Sequence, residues 1–97
     1  MVTNNILTWN ANPASEGVVK YNIYRKIGSA PSKVAGDLFA SVPATQTTFT
    51  DSVTADGDYF YAITASDLAN NESGLTAPKD KVVDATPPSI PTGLSVV

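Results

Sequence analysis

The stretch "DGDYFYAITASD", residues Asp56 to Asp67, decides the fold. A turn-forming Asp-Gly opens it, and then the side chains alternate. Tyr59, Tyr61, Ile63 and Ala65 fall on one face at a period of two, with Phe60 on the other. An amphipathic helix would need apolar spacing of three and four, which is hard to find over any long window of this chain. The reading is therefore a β-strand, half of it in a core.

The same period extends in both directions. "NILTWN" (5–10) sets Leu7 and Trp9 on one face, Ile6 and Thr8 on the other. "VVKYNIYRK" (18–26) sets Val19, Tyr21 and Ile23 against Lys20, Asn22 and Tyr24. "LFASV" (38–42) is a short strand ending at Pro43, and "TTFTDSV" (47–53) carries Phe49 and Val53. "KDKVV" (79–83) is charged, as an edge strand is. Turn signals separate these runs: "NANPASEG", "KIGSAPSK", "TADGD" and "DLANNESG". Short strands at this spacing predict an all-β, antiparallel sandwich or barrel.

Composition narrows the function classes. Net charge is −3, and the six Lys and Arg residues are scattered. That argues against nucleic acid and against anionic membranes as partners. The chain has no Cys and no His, which removes thiol chemistry, disulfides and the commonest general base and transition-metal ligand. No cofactor is expected. No apolar run reaches transmembrane length, and no basic-then-apolar leader follows Met1.

Taken in order, these segments resemble a fibronectin type III domain over nearly the whole chain. Leu7-Thr-Trp9 matches that family's strand B, "YNIYR" (21–25) strand C, and "TTFTDS" strand E. "DGDYFYAITASDLANNESG" matches strand F and the F–G loop. The resemblance implies a seven-strand immunoglobulin-like antiparallel sandwich. Trp9 would be its core tryptophan, and Tyr59 the tyrosine whose hydroxyl ties back to upstream backbone. Tyr21, Ile23, Phe49, Tyr61 and Ile63 complete the expected core. It also implies an extracellular or cell-surface parent, and loops B–C ("NANPASEG") and F–G as a possible binding end. No Arg-Gly-Asp occurs.

One departure stands out. Residues 1–83 read as the body, strands B to G, and 84–97 as a proline-rich linker followed by an A-like strand. "PPSIPTGLSV" resembles the family's opening, yet it follows strand G, as in a domain cut in the A–B loop. The expectation is that Leu94 and Val96 anchor this strand in the next molecule, in a head-to-tail homo-oligomer. Pro87, Pro88 and Pro91 would direct its exit, and Leu7 and Trp9 would form the accepting edge. A tail folded back on its own body, an incidental fragment and an engineered permutant are alternatives. So are a passive spacer from a bacterial extracellular enzyme or surface protein, and a loop-based protein- or carbohydrate-binding module.

Three groups of polar or aromatic residues are candidate sites. Asp67, Asn70, Asn71 and Glu72 carry calcium-type oxygens, but their spacing fits no calcium loop, and turn formation is the simpler reading. Asp51, Asp56 and Asp58 read as turn residues rather than catalytic carboxylates. Tyr24 and Phe60 point outward by alternation, as cross-strand partners. No catalysis is expected.

Overall fold

The alternation at 59–65 becomes the longest strand of the molecule. In the computed structural model, which describes residues 2–84 and 88–97, six strands run in chain order. They are β1 (Thr3–Thr8), β2 (Val18–Ile27), β3 (Leu38–Pro43), β4 (Thr48–Val53), β5 (Gly57–Asp67) and β6 (Lys79–Val83). A single 3-10 turn, Ala14–Glu16, lies between β1 and β2 and ends at Gly17 in the left-handed conformation, φ 63°.

The strands form two antiparallel sheets, β1–β4 and β3–β2–β5–β6. Register is set by the apolar pattern: Ile23 faces Ile63 and Tyr21 faces Ala65 across β2 and β5. β1 lies against β4 with Thr3 opposite Val53 and Thr8 opposite Thr48. The core gathers Tyr21, Ile23, Val42, Val53, Tyr59, Tyr61, Ala65 and Val83 from both sheets. Leu7, Trp9, Phe49 and Ile63 pack against it while half-exposed. Side chains from two sheets thus enclose one core, a sandwich-like arrangement. Trp9 meets Tyr21 edge to face at 5.5 Å between ring centroids. The Tyr59 hydroxyl donates to the Ala55 carbonyl at 2.8 Å, four residues upstream.

Four expectations need correction. Seven strands were expected, and the described residues hold six: 88–97 form no strand in the single chain. Val19 was placed on the core face, but a bulge between Val18 and Lys20 puts Val18 against the core and leaves Val19 43% exposed. Asp51 was read as a turn residue, and it lies buried within β4. Tyr24 was placed outward, and it is buried because the chain after β5 folds over its face.

That covering works through one carboxylate. Glu72 accepts hydrogen bonds from the Tyr24 hydroxyl at 2.5 Å and the Thr64 hydroxyl at 2.6 Å. Below it, the Asn22 amide donates to Thr64 and Ser66, and its carbonyl accepts from Ser41. Residues 72–76 run beside β5, with the Ser73 amide on Ala65 O and the Thr76 amide on Ile63 O. Around Tyr24 the second face of the large sheet is therefore a hydrogen-bonded polar layer.

Candidate interaction groove

Among the described residues β1 has one strand partner, β4, and no strand lies on its other side. The direction of each backbone group follows from the period of two. The Trp9 amide donates to Thr47 O, and the Leu7 carbonyl accepts from the Thr48 hydroxyl, so odd-numbered residues face β4. Asn4, Ile6 and Thr8 then turn their amides and carbonyls away from it. The Asn4 carbonyl confirms this sense: it meets the Lys81 ammonium, on the opposite sheet, at 3.5 Å.

Between that open edge and the large sheet lies a groove of about 500 Å³. One wall is β1 with Trp9, the floor is Tyr61–Ile63 of β5, and the far wall is Thr76, Ala77 and Lys79–Lys81. Leu7, Trp9 and Ile63, three apolar side chains that the core leaves half-covered, all line it. Of three buried side-chain polar atoms without a hydrogen-bond partner among the described residues, two, Asn5 Oδ1 and Trp9 Nε1, belong to residues of the same wall, and the third is Asp58 Oδ1. An edge of unpaired backbone above half-covered apolar side chains is a template for strand addition.

A polar network in the core reaches the groove at Asn5 and Tyr61. The Asn5 amide donates to the Tyr61 hydroxyl at 2.9 Å, and that hydroxyl donates to Asp51 at 2.5 Å. Arg25 donates to the same Asp51 oxygen at 2.9 Å, and its guanidinium stacks 3.9 Å above the Phe39 ring. The chain of contacts joins β1, β5, β4 and β2, so both sheets are fixed relative to each other at the groove floor. Burial, then the bond to the Asp51 carboxylate, raises the Tyr61 hydroxyl pKa well above its ordinary value.

The expected assembly residues fall into two sets. Leu7 and Trp9 meet at the groove. Leu94 and Val96 are 97% and 96% exposed in the single chain, and Pro88 and Pro91 are exposed too. Pro87 lies outside the described residues. The structure does not bring the two sets together within one molecule.

A second, smaller cleft of about 230 Å³ joins the ends of the B–C and F–G segments, with Asn10 and Asn12 on one side and Ser73–Thr76 on the other. Its walls are ordered by local bonds: Asn12 N–H donates to the Tyr21 hydroxyl, and Asn12 Nδ2 to Glu16. The loop's acidic residues do not converge. Asp67 accepts from the amides of Ala69 and Asn71 and from Asn71 Nδ2, and those bonds, from Asn71 first, lower its pKa. Glu72 points instead into the Tyr24 layer. Among the described residues no three His, Cys, Asp or Glu side chains gather as a metal site would require.

The three aspartates read together in the sequence also separate. Asp51 holds the core network. Asp58 on β5 has Asp80 of β6 as its carboxyl neighbour, and that neighbour, then burial, raises the Asp58 pKa. Sequence reasoning missed the Arg25–Asp51 pair and the Glu72 layer. The signal for the Glu72 layer was Thr64 and Ser66, small polar residues at a period of two inside an otherwise apolar strand, with Asn22 likewise polar inside β2; the Arg25–Asp51 pair had no such local signal.

Comparison with known proteins finds a stretch of this chain similar to a small part of a much larger protein. Over 65 residues, 64% of this chain, it is 42% identical to part of an amylopullulanase from Thermoanaerobacterium thermosulfurigenes. The chain spans about 3% of that protein's length. No family model matches the chain. No solved structure matches it.

Proposed function

We propose that this chain is a non-catalytic accessory β-module of a large bacterial extracellular enzyme, serving chiefly as a spacer between larger units. The observation that carries this reading is the asymmetry of the match: most of this chain against a very small part of an amylopullulanase. A unit of this size inside so long a protein is an appended domain, and the fibronectin type III resemblance gives it a sandwich of the kind that spaces domains. The chemistry agrees. Asp51 is engaged by Arg25 and Tyr61, and Asp58 and Asp80 lie side by side on β5 and β6 rather than across the groove from each other. A glycosidic acid–base pair needs two carboxyls flanking a substrate cleft.

The cleft between Asn12 and Ser73–Thr76 favours a second reading, a weak carbohydrate-binding surface. One experiment separates the two. The purified chain is run through native gels containing pullulan or amylopectin, and the same polymers are assayed for new reducing ends after incubation. A spacer migrates unretarded and releases none. Retardation that Asn12→Ala and Ser73→Ala weaken supports the binding surface, and release of reducing ends overturns the non-catalytic reading.

A further inference from the structure

We infer that the groove beside β1 is filled by residues 88–97 of a second copy of this chain, added as an extra strand on the free edge of the small sheet.

The acceptor side supplies both kinds of contact that strand addition uses. Ile6 and Thr8 turn their backbone groups away from β4 along one line, with the Asn4 carbonyl beyond them on Lys81, and Leu7, Trp9 and Ile63 offer half-covered apolar surface beneath it. The donor side matches. Residues 88–97 carry no charged side chain, and Ile90, Leu94, Val96 and Val97 are 87% exposed or more. Four large apolar side chains so exposed on one short segment are unusual for a segment without a partner. Alternation puts Leu94 and Val96 on one face, spaced to enter the groove while Ser95 stays outside. Thr92–Val97 has six residues, as β1 has. Gly93, at φ 79° in the single chain, has no Cβ to hinder extension on docking.

Direction and reach together favour a second copy over the chain's own tail. Thr3 pairs with Val53, and Gly57, four residues later, pairs with Val83. The end of β6 is therefore at the Thr3 end of β1. Every strand pair here is antiparallel, so a strand continuing that pattern on β1 enters at the Thr8 end. The chain's own tail would first have to run the length of β1, about 20 Å at ~3.3 Å per residue. It would then have to reverse. Residues 84–90 span at most about 25 Å fully extended, and Pro88 and Pro91 hold φ near −65° on either side of the reversal. A second molecule meets neither constraint. The contact it makes is heterologous: each copy offers a tail and accepts one, so association continues head to tail.

Three measurements on the intact chain test this. The first is sedimentation velocity over a wide concentration range. The second repeats it with the variant Leu94→Asp/Val96→Asp, whose substitutions lie on exposed positions and leave the core untouched. The third titrates that variant with a synthetic peptide of residues 88–97 and follows the fluorescence of Trp9, the single tryptophan. The expected results are a wild-type mass rising with concentration above 10.1 kDa, a variant that stays monomeric with an unchanged β-type circular dichroism spectrum, and a saturable shift of Trp9 emission. The same peptide caps the wild-type assembly. A wild-type particle of 10.1 kDa at every concentration overturns the inference, including the case of a tail docked on its own groove. Assembly that survives the double substitution, or Trp9 emission indifferent to the peptide, overturns it as well. Polysaccharide binding and hydrolysis play no part in these readouts, so this inference and the accessory-module reading fail separately.

Discussion

Arg25 on β2 and Asp51 on β4 meet at 2.9 Å and tie the large sheet to the small one. The Arg25 side chain is 24% exposed and the Asp51 side chain 4%, so the carboxylate is the member that cannot recover water if its partner is lost. Replacing Asp51 by Ala leaves Arg25 without its anion and the Tyr61 hydroxyl without its acceptor. Breaking a buried pair from one side costs about 3–5 kcal/mol, and the partial exposure of Arg25 puts this one at about 3 kcal/mol. Urea unfolding of Asp51→Ala against wild type measures it. Asp51→Asn, which keeps an acceptor oxygen, loses less.

Trp9 is the apolar wall shared by the core and the groove. Its replacement by Ala removes the edge-to-face contact with Tyr21 and widens the groove at the same point. For a half-covered aromatic the cost is about 3 kcal/mol, the lower end of what buried aromatics lose. Tyr59→Phe is the contrasting case: it deletes only the bond to the Ala55 carbonyl and costs about 1 kcal/mol. Both values come from chemical denaturation at neutral pH, and the order Trp9→Ala well above Tyr59→Phe is the expected result.

The Tyr24–Glu72 contact makes stability depend on pH at both ends. Hydrogen bonds from Thr64 and Tyr24 lower the Glu72 pKa below its ordinary 4.5. A lowered acid stabilises the fold above its unfolded pKa, and that share is lost as pH falls through the folded value. Burial, then the Glu72 carboxylate, raises the Tyr24 pKa from 10.0 to about 12. A raised group stabilises below its unfolded pKa, so this share is present below pH 10 and is lost as pH rises through about 12. Thermal melts from pH 3 to 12 show both slopes in the wild type. Glu72→Gln flattens the acid limb, and Tyr24→Phe flattens the alkaline one.

Asp58 and Asp80 are the opposite case. Their proximity raises the Asp58 pKa, so the pair favours the folded state when a proton is shared and opposes it when both are ionised. Asp80→Asn therefore raises the melting temperature at pH 7, and the gain shrinks as pH falls into the carboxylate range. A variant that melts lower than wild type at pH 7 contradicts the assignment.

The strands were legible because their apolar period is local information. Tyr59, Tyr61, Ile63 and Ala65 specify a face without reference to anything else in the chain, and Leu7 with Trp9 does the same for β1. Val19 was misplaced because a bulge shifts the period by one residue, and no residue type marks a bulge. Asp51 and Tyr24 were misplaced because their burial depends on partners far along the chain, Arg25 and Glu72, whose approach only the folded topology creates. The apolar wall that Leu7 and Trp9 give the groove was legible from the same period of two. The groove's floor was not, because it depends on how the 72–78 segment returns along β5.

The most direct test of the account is amide hydrogen exchange along β1, read by NMR at a concentration low enough to hold the chain as a monomer. The open-edge geometry predicts alternation: Leu7 and Trp9 amides, bonded toward β4, exchange slowly, whereas Ile6 and Thr8 amides exchange fast and become protected when the 88–97 peptide is added. Slow exchange at Ile6 and Thr8 in the monomer without peptide would mean that the edge is already covered, and would contradict the account.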